Sequence, residues 1–168
     1  NLMEKKCILL VTNFRKDKQL SMLRFRALLN SKHRENPRFE IDECYPQPVF
    51  SKISLGKRGN KWAAYLDKYL LFPKRMKNKL QSLVQPVDLV HIIDHSNALY
   101  LPQLNRCSKA KKMITCHDLI AVRTAQGEFP QAPKTSRPGK RLQKWIHNSL
   151  ELADYYACDS MQTKQDLD

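Results

Sequence analysis

Five short apolar runs, set apart by stretches of helical periodicity, constrain this chain more than any other feature. The runs are Cys7–Thr12, Phe39–Tyr45, Val87–Ile93, Lys112–Cys116 and Tyr155–Cys158. The first, third and fourth are almost continuously apolar, as strands buried on both faces of a parallel sheet are. The second alternates Phe39, Ile41, Glu43 and Tyr45 with Glu40, Asp42 and Cys44, the pattern of an outer strand with one wetter face. Between the runs, apolar residues recur at helical spacing. Leu20, Leu23, Ala27 and Leu28 predict a helix over 17–32. Trp62, Leu66, Tyr69 and Leu70 predict a second, continued by Met76, Leu80, Leu83 and Val84 beyond a kink or break at Pro73. Leu142, Trp145, Ile146, Ser149, Leu150 and Ala153 predict a third. A short helix is expected near 97–106, and another starting at Ser160 as its N-cap. Strand and helix alternate, which predicts an α/β, Rossmann-like, doubly wound and mostly parallel sheet with helices on both faces. The expected order sets the Val87 strand beside the Cys7 strand, then the Lys112 and Tyr155 strands, with the Phe39 strand on the other flank. Two segments, 47–59 and 124–139, read as long loops by their Pro, Gly and Ser content.

At 168 residues, 1–168 is the size of a single domain, and 42% hydrophobic residues suffice for a core. No apolar run approaches the ~18–20 residues that cross a membrane. The five cysteines, Cys7, Cys44, Cys107, Cys116 and Cys158, are odd in number and form no C-x-x-C pair. They predict reduced thiols, no metal site, and a cytoplasmic protein. The first residue is Asn1 rather than Met, as in a processed or excised chain.

The net charge of +14 calls for an anionic partner: nucleic acid, a membrane surface or a phosphorylated substrate. The charge is concentrated. Lys52, Lys57, Arg58, Lys61, Lys68, Lys74, Arg75, Lys77 and Lys79 surround Trp62, Tyr65, Tyr69 and Phe72, with Asp67 the sole acid among them. Basic and aromatic residues on one helix suit docking at the inner face of an anionic membrane. They equally suit a solvated helix that packs its apolar face on the sheet. There is no G-x-G-x-x-G and no P-loop, and no glycine precedes Gly56, which excludes a dinucleotide fingerprint after the first strand.

Ligands of open α/β sheets bind at the carboxyl ends of the strands. Those ends deliver Asn13, Phe14, Arg15 and Lys16; then Asp94, His95 and Ser96; then His117 and Asp118; then Asp159 and Ser160. If the third and fourth strands are neighbours, Asp94, His95, His117 and Asp118 converge on one crevice. A histidine beside a carboxylate can be held in one tautomer and used as acid, base or hydrogen-bond donor. His91, inside a strand, reads as a packed core residue. Asp94 or His95 equally reads as a helix cap, and Asp159–Ser160 as an N-cap and turn.

Three stretches, VDLVHIIDHSNALYLPQL, KKMITCHDLIAV and RLQKWIHNSLELADYYACDSMQTKQDL, together resemble the N-terminal domain of family 4 retaining glycosyltransferases. They carry, in order, that family's D-h-v-H-h-x-D-h-s strand, its T-x-H-D-l strand and its A-D-x-h-x-x-x-S segment. The S-M-x-R-F at Ser21–Phe25 fits members that use it in place of a glycine loop. The resemblance implies the N-terminal, acceptor-side half of a GT-B fold. It implies that His117 projects toward the donor sugar, with Asp118 supporting its loop. Asp94, His95 and Ser96 would line the acceptor crevice. Arg15, Ser21 and Met22 would approach the donor phosphates. The nucleotide sugar would be a co-substrate gripped by a C-terminal domain outside these residues, with no further cofactor and no metal. The acceptor would be a glycan or a lipid. The basic surface of Lys57, Arg58, Lys61, Trp62, Lys74, Arg75, Lys77 and Lys79 would face the membrane. Two other classes remain open: a basic nucleic-acid-binding module, for which no recognised motif speaks, and a stand-alone flavodoxin-like ligand-binding protein, which needs a phosphate loop.

Overall fold

The computed structural model describes residues 5–168 apart from 54–55, 129–130, 132–135, 166 and 168. Strands β1 (Lys6–Val11), β2 (Phe39–Cys44), β3 (Leu89–Ile92), β4 (Lys111–Cys116) and β5 (Tyr155–Cys158) form one sheet. Its order is β2-β1-β3-β4-β5, and every neighbouring pair is parallel. This is the Rossmann-like α/β sheet, and the strand order, that the alternating pattern predicts. The order reverses at β1, which has β2 on one side and β3 on the other, so a crevice opens beyond the ends of β1 and β3.

The helices are α1 (Leu20–Arg34), α2 (Gly56–Leu66), α3 (Phe72–Ser82), α4 (Leu101–Cys107), α5 (Ile120–Gln126), α6 (Arg137–Leu150) and α7 (Met161–Gln165). The core joins Leu9 and Val11 of β1, Val90 and Ile92 of β3 and Ile114 and Cys116 of β4 to Phe72 and Met76 of α3. Leu101 and Leu104 of α4 and Ile146 and Leu150 of α6 complete it. Burying each such side chain contributes about 1.5–3 kcal/mol. By contrast α1 buries no residue fully, and Leu20 and Leu28 of its apolar stripe are exposed.

Several local boundaries depart from the sequence expectation. The first helix starts at Leu20, not 17, because Arg15–Asp17 form a 3-10 turn closed by Lys18 at φ 51°. The expected loop over 47–59 contains a 3-10 turn at Phe50–Lys52, and its end is already α2. Gln126 ends α5, Gly127 closes it in the left-handed region at φ 94°, and α6 begins at Arg137. The second loop is therefore shorter than 124–139, and 129–130 and 132–135 lie outside the described residues. Pro73 does not break its helix. Asp67–Leu71 form a π-helical segment in which the Phe72 N–H reaches back to the Asp67 carbonyl. The widened turn precedes a proline that has no N–H to give and whose ring crowds the preceding turn, so α2 runs into α3. Pro102, in the first turn of α4, is tolerated because N–H groups there lack helical partners anyway. Ser160 caps α7 as expected, its Oγ accepting from the Thr163 N–H at 3.1 Å.

Candidate active site at the carboxyl edge of the sheet

The polar residues beyond the ends of β1, β3, β4 and β5 meet at one edge of the sheet, and the strand register dictates which ones touch. Cys116 of β4 pairs with Cys158 of β5, so the next residue of each strand, His117 and Asp159, come side by side. His117 Nδ1 lies 3.2 Å from Asp159 Oδ2, and its Nε2 lies 3.1 Å from the Ile93 carbonyl oxygen. Phe25 of α1 meets the imidazole edge-on, with ring centroids 4.9 Å apart. The His117 carbonyl accepts from the Thr163 hydroxyl of α7. The ring is thus held by three groups, and its backbone by a fourth.

Across the crevice, Asp94 is 6% exposed. Its Oδ1 accepts from the Ser96 N–H at 3.0 Å, which caps the 3-10 turn His95–Tyr100. Its Oδ2 accepts from Asn13 Nδ2 at 2.5 Å. Asn13 in turn receives a hydrogen bond from Asn97 on its Oδ1 and gives one to Gln19. This chain of amides ties the end of β1 to the end of β3 at the switch point, and Asp94 is the helix cap that its position suggests. His95 is held well inside, its Nδ1 3.5 Å from Asp94 Oδ1 and without a hydrogen-bond partner. Burial pushes its pKa down, Asp94 and Asp118 pull it back in part, and His117 adds to the depression. The ring is neutral at pH 7.

The remaining predicted residues sit at the periphery. Asp118 is exposed and accepts from the Ile120 N–H, turning the chain into α5. Ser21 and Met22 occupy the first turn of α1. Arg15 turns toward β2: its guanidinium stacks on Tyr45 at 3.9 Å and lies 3.9 Å from Glu43 Oε1. Glu43 also takes Arg26 with both carboxylate oxygens and the Thr12 hydroxyl. Burial would raise its pKa, but these donors hold it below the usual range. From the motif Ser21–Phe25 it is therefore Phe25 that reaches His117. Asp159, which reads from sequence as a turn residue, is the partner that the sequence pattern does not reveal; only the β4–β5 register does.

The basic helix divides. Ala63, Phe72 and Met76 face the core, whereas Trp62, Leu66 and Leu70 are 69%, 41% and 63% exposed. Lys79 pairs with Asp42 of β2, and Lys68 with Asp17. Lys61 lies near the Tyr65 ring. Arg58, Lys74, Arg75 and Lys77 are exposed, and the Lys57 side chain lies outside the described residues. Between α2 and the 14–17 turn is a cavity of about 380 Å³, lined by Lys16, Lys52, Lys61, Phe14 and Asn60 among others. No described helix is long and apolar enough to cross a membrane.

No protein-family model and no curated protein matches the sequence. Solved structures of GT-B glycosyltransferases are similar in fold. LpCGTa in complex with UDP aligns over 94% of this chain and 46% of its own length, at 10% identity and a TM-score of 0.57. TcCGT1 in complex with UDP aligns over 98% of this chain and 46% of its own, at 11% identity and the same TM-score. The chain therefore spans just under half the length of either protein, and the likeness is one of architecture.

Proposed function

We propose that residues 1–168 are the acceptor-side half of a retaining glycosyltransferase that moves a sugar from a nucleotide diphosphate to a glycan or lipid acceptor. The observation that carries this reading is His117, presented at the end of β4 beside the switch-point crevice of a sheet shaped like half of a GT-B protein. A second Rossmann-like domain, outside these residues, would close over that edge and grip the nucleotide. His117 then hydrogen-bonds the donor sugar and aligns its anomeric carbon with the acceptor hydroxyl. The bond from that carbon to the diphosphate breaks as the bond to the acceptor oxygen forms. The acceptor proton passes to the leaving phosphate oxygen, so the chain supplies positioning rather than a base. Asp94, His95 and Ser96 wall the acceptor side, and Ser21 and Met22 stand where the diphosphate approaches. Arg15 reaches a phosphate only by leaving Tyr45 and Glu43. That the neighbours were crystallised with UDP makes a uridine nucleotide the donor to try first.

The test is made on the protein isolated from its source cells. Its mass is expected at about twice that of the 19.7 kDa chain. With UDP-sugars it should release UDP in an acceptor-dependent way, and His117→Ala should lower turnover on the order of 100-fold. Turnover unchanged by that substitution would overturn the role of His117.

The exposed stripe Trp62, Leu66 and Leu70, set at i, i+4 and i+8 and bracketed by Arg58 and Lys74 one step beyond each end, supports docking on anionic membrane. Co-sedimentation with phosphatidylserine-containing vesicles should fall with salt and fail with neutral lipid. Equal sedimentation under all three conditions would remove the proposal.

A further inference from the structure

We infer that Asp159 is a positioning residue for His117: its carboxylate accepts the Nδ1–H and so holds the ring at the end of β4 in one tautomer and one plane. The inference rests on the reading of His117 as the residue that faces the donor sugar, but its geometry stands without it.

The acceptors around the ring decide which nitrogen carries its proton. Asp159 Oδ2 and the Ile93 carbonyl, the two groups that face the imidazole nitrogens, are both acceptors. A neutral imidazole has one N–H and one lone pair, so either tautomer sets a lone pair against an oxygen. A carboxylate is a stronger acceptor than a backbone carbonyl, so the proton belongs on Nδ1, facing Asp159. His95, from the turn after β3, interacts electrostatically with His117, and Asp94 and Asp118 in turn act on His95. Phe25 presents a ring edge from α1, and Thr163 bonds the His117 backbone from α7. Of these groups, Asp159 is the one whose side chain is hydrogen-bonded to the His117 ring.

Asp159 has no competing structural duty among the described residues. The cap of α7 is Ser160, which takes the Thr163 N–H, and the Asp159 side chain is half exposed. Its placement follows from register alone, one residue beyond the Cys116–Cys158 pair. With Nδ1 held by Asp159 and the Phe25 edge against the ring, the ring plane is set before any ligand arrives.

The test reads protons directly. Ring ¹⁵N–¹H correlation spectra of the full chain at pH 7 should show a proton on His117 Nδ1. Asp159→Ala should shift the ring toward the Nε2–H tautomer, Asp159→Glu should restore the Nδ1 proton, and the backbone spectrum should stay folded throughout. A bare Nδ1 in the unsubstituted chain, or a ring that ignores Asp159→Ala, overturns the inference. In the complete transferase, Asp159→Asn should lower kcat on the order of 10- to 100-fold with KM little changed; unchanged kcat overturns the positioning role. The two readings fail separately. If His117→Ala leaves turnover intact while the Nδ1 proton depends on Asp159, the transferase role of His117 falls and the pairing stands.

Discussion

Two buried polar residues show how single side chains organise this domain. Asp67 stands alone among basic residues in the sequence. In the fold it is 1% exposed and accepts from the N–H groups of Val49, Phe50 and Ser51 and from the Ser51 hydroxyl. Burial pushes its pKa up, yet the Ser51 and backbone donors outweigh that and bring it below the usual carboxylate value. Asp67→Ala leaves these donors without a partner, and a loss on the order of 3 kcal/mol is expected in urea unfolding. His91 is the core histidine that its position in a strand suggests. Its Nε2 lies 2.8 Å from Thr115 Oγ1, and burial, helped by His33, lowers its pKa from 6.5 to about 4. The unfolded chain therefore takes up this proton first. Stability is whole above about pH 6.5 and declines as pH falls toward 4. The double variant His91→Leu with Thr115→Val should flatten the pH dependence of Tm across that window; an unaltered slope would assign it to other groups.

At the scale of elements, the long basic helix is where sequence and structure part most clearly. Periodicity counted from the sequence joins Trp62, Leu66, Tyr69 and Leu70 into one stripe, as though all faced the sheet. The π segment Asp67–Leu71 adds a residue to its turn and rotates α3 relative to α2. Phe72 and Met76 thereby reach the core while Trp62, Leu66 and Leu70 face outward. An exposed apolar row adds little to folding, so Leu66→Glu with Leu70→Glu should change unfolding free energy by only about 0.5 kcal/mol per site. The same pair should abolish vesicle binding. A large loss of stability would mean the stripe is covered within the protein. In α1 the expected helix forms, but Leu20 and Leu28 remain exposed, and nothing in the described residues covers them.

For the molecule as a whole, the shifted acids and histidines act in one sense. His91 and His95 are depressed by burial, and Glu43, Asp67, Asp88 and Asp154 are held below their usual values by hydrogen bonds from Arg26, Ser51, Lys6 and Lys111 together with backbone donors. Each makes the unfolded chain the better proton acceptor, the histidines below about pH 6.5 and the carboxylates below about pH 4.5. At the other end, burial pushes the Cys44 and Cys116 thiols up to about 12. The unfolded thiols ionise first as pH passes about 9, and stability falls again. A plot of Tm against pH should therefore peak between about 7 and 9, and a maximum near the pI of 9.7 would refute this balance. The parallel sheet, its strand order and the gathering of His117 and Asp94 at one edge were legible in the sequence, because apolarity on both faces and right-handed crossovers leave few arrangements. Periodicity cannot foresee a π turn that displaces a helical face, nor a half-exposed aspartate drawn to a histidine 42 residues away. Those were decided by tertiary structure, since register between parallel strands is fixed by the packing of whole layers and not by any local run of residues.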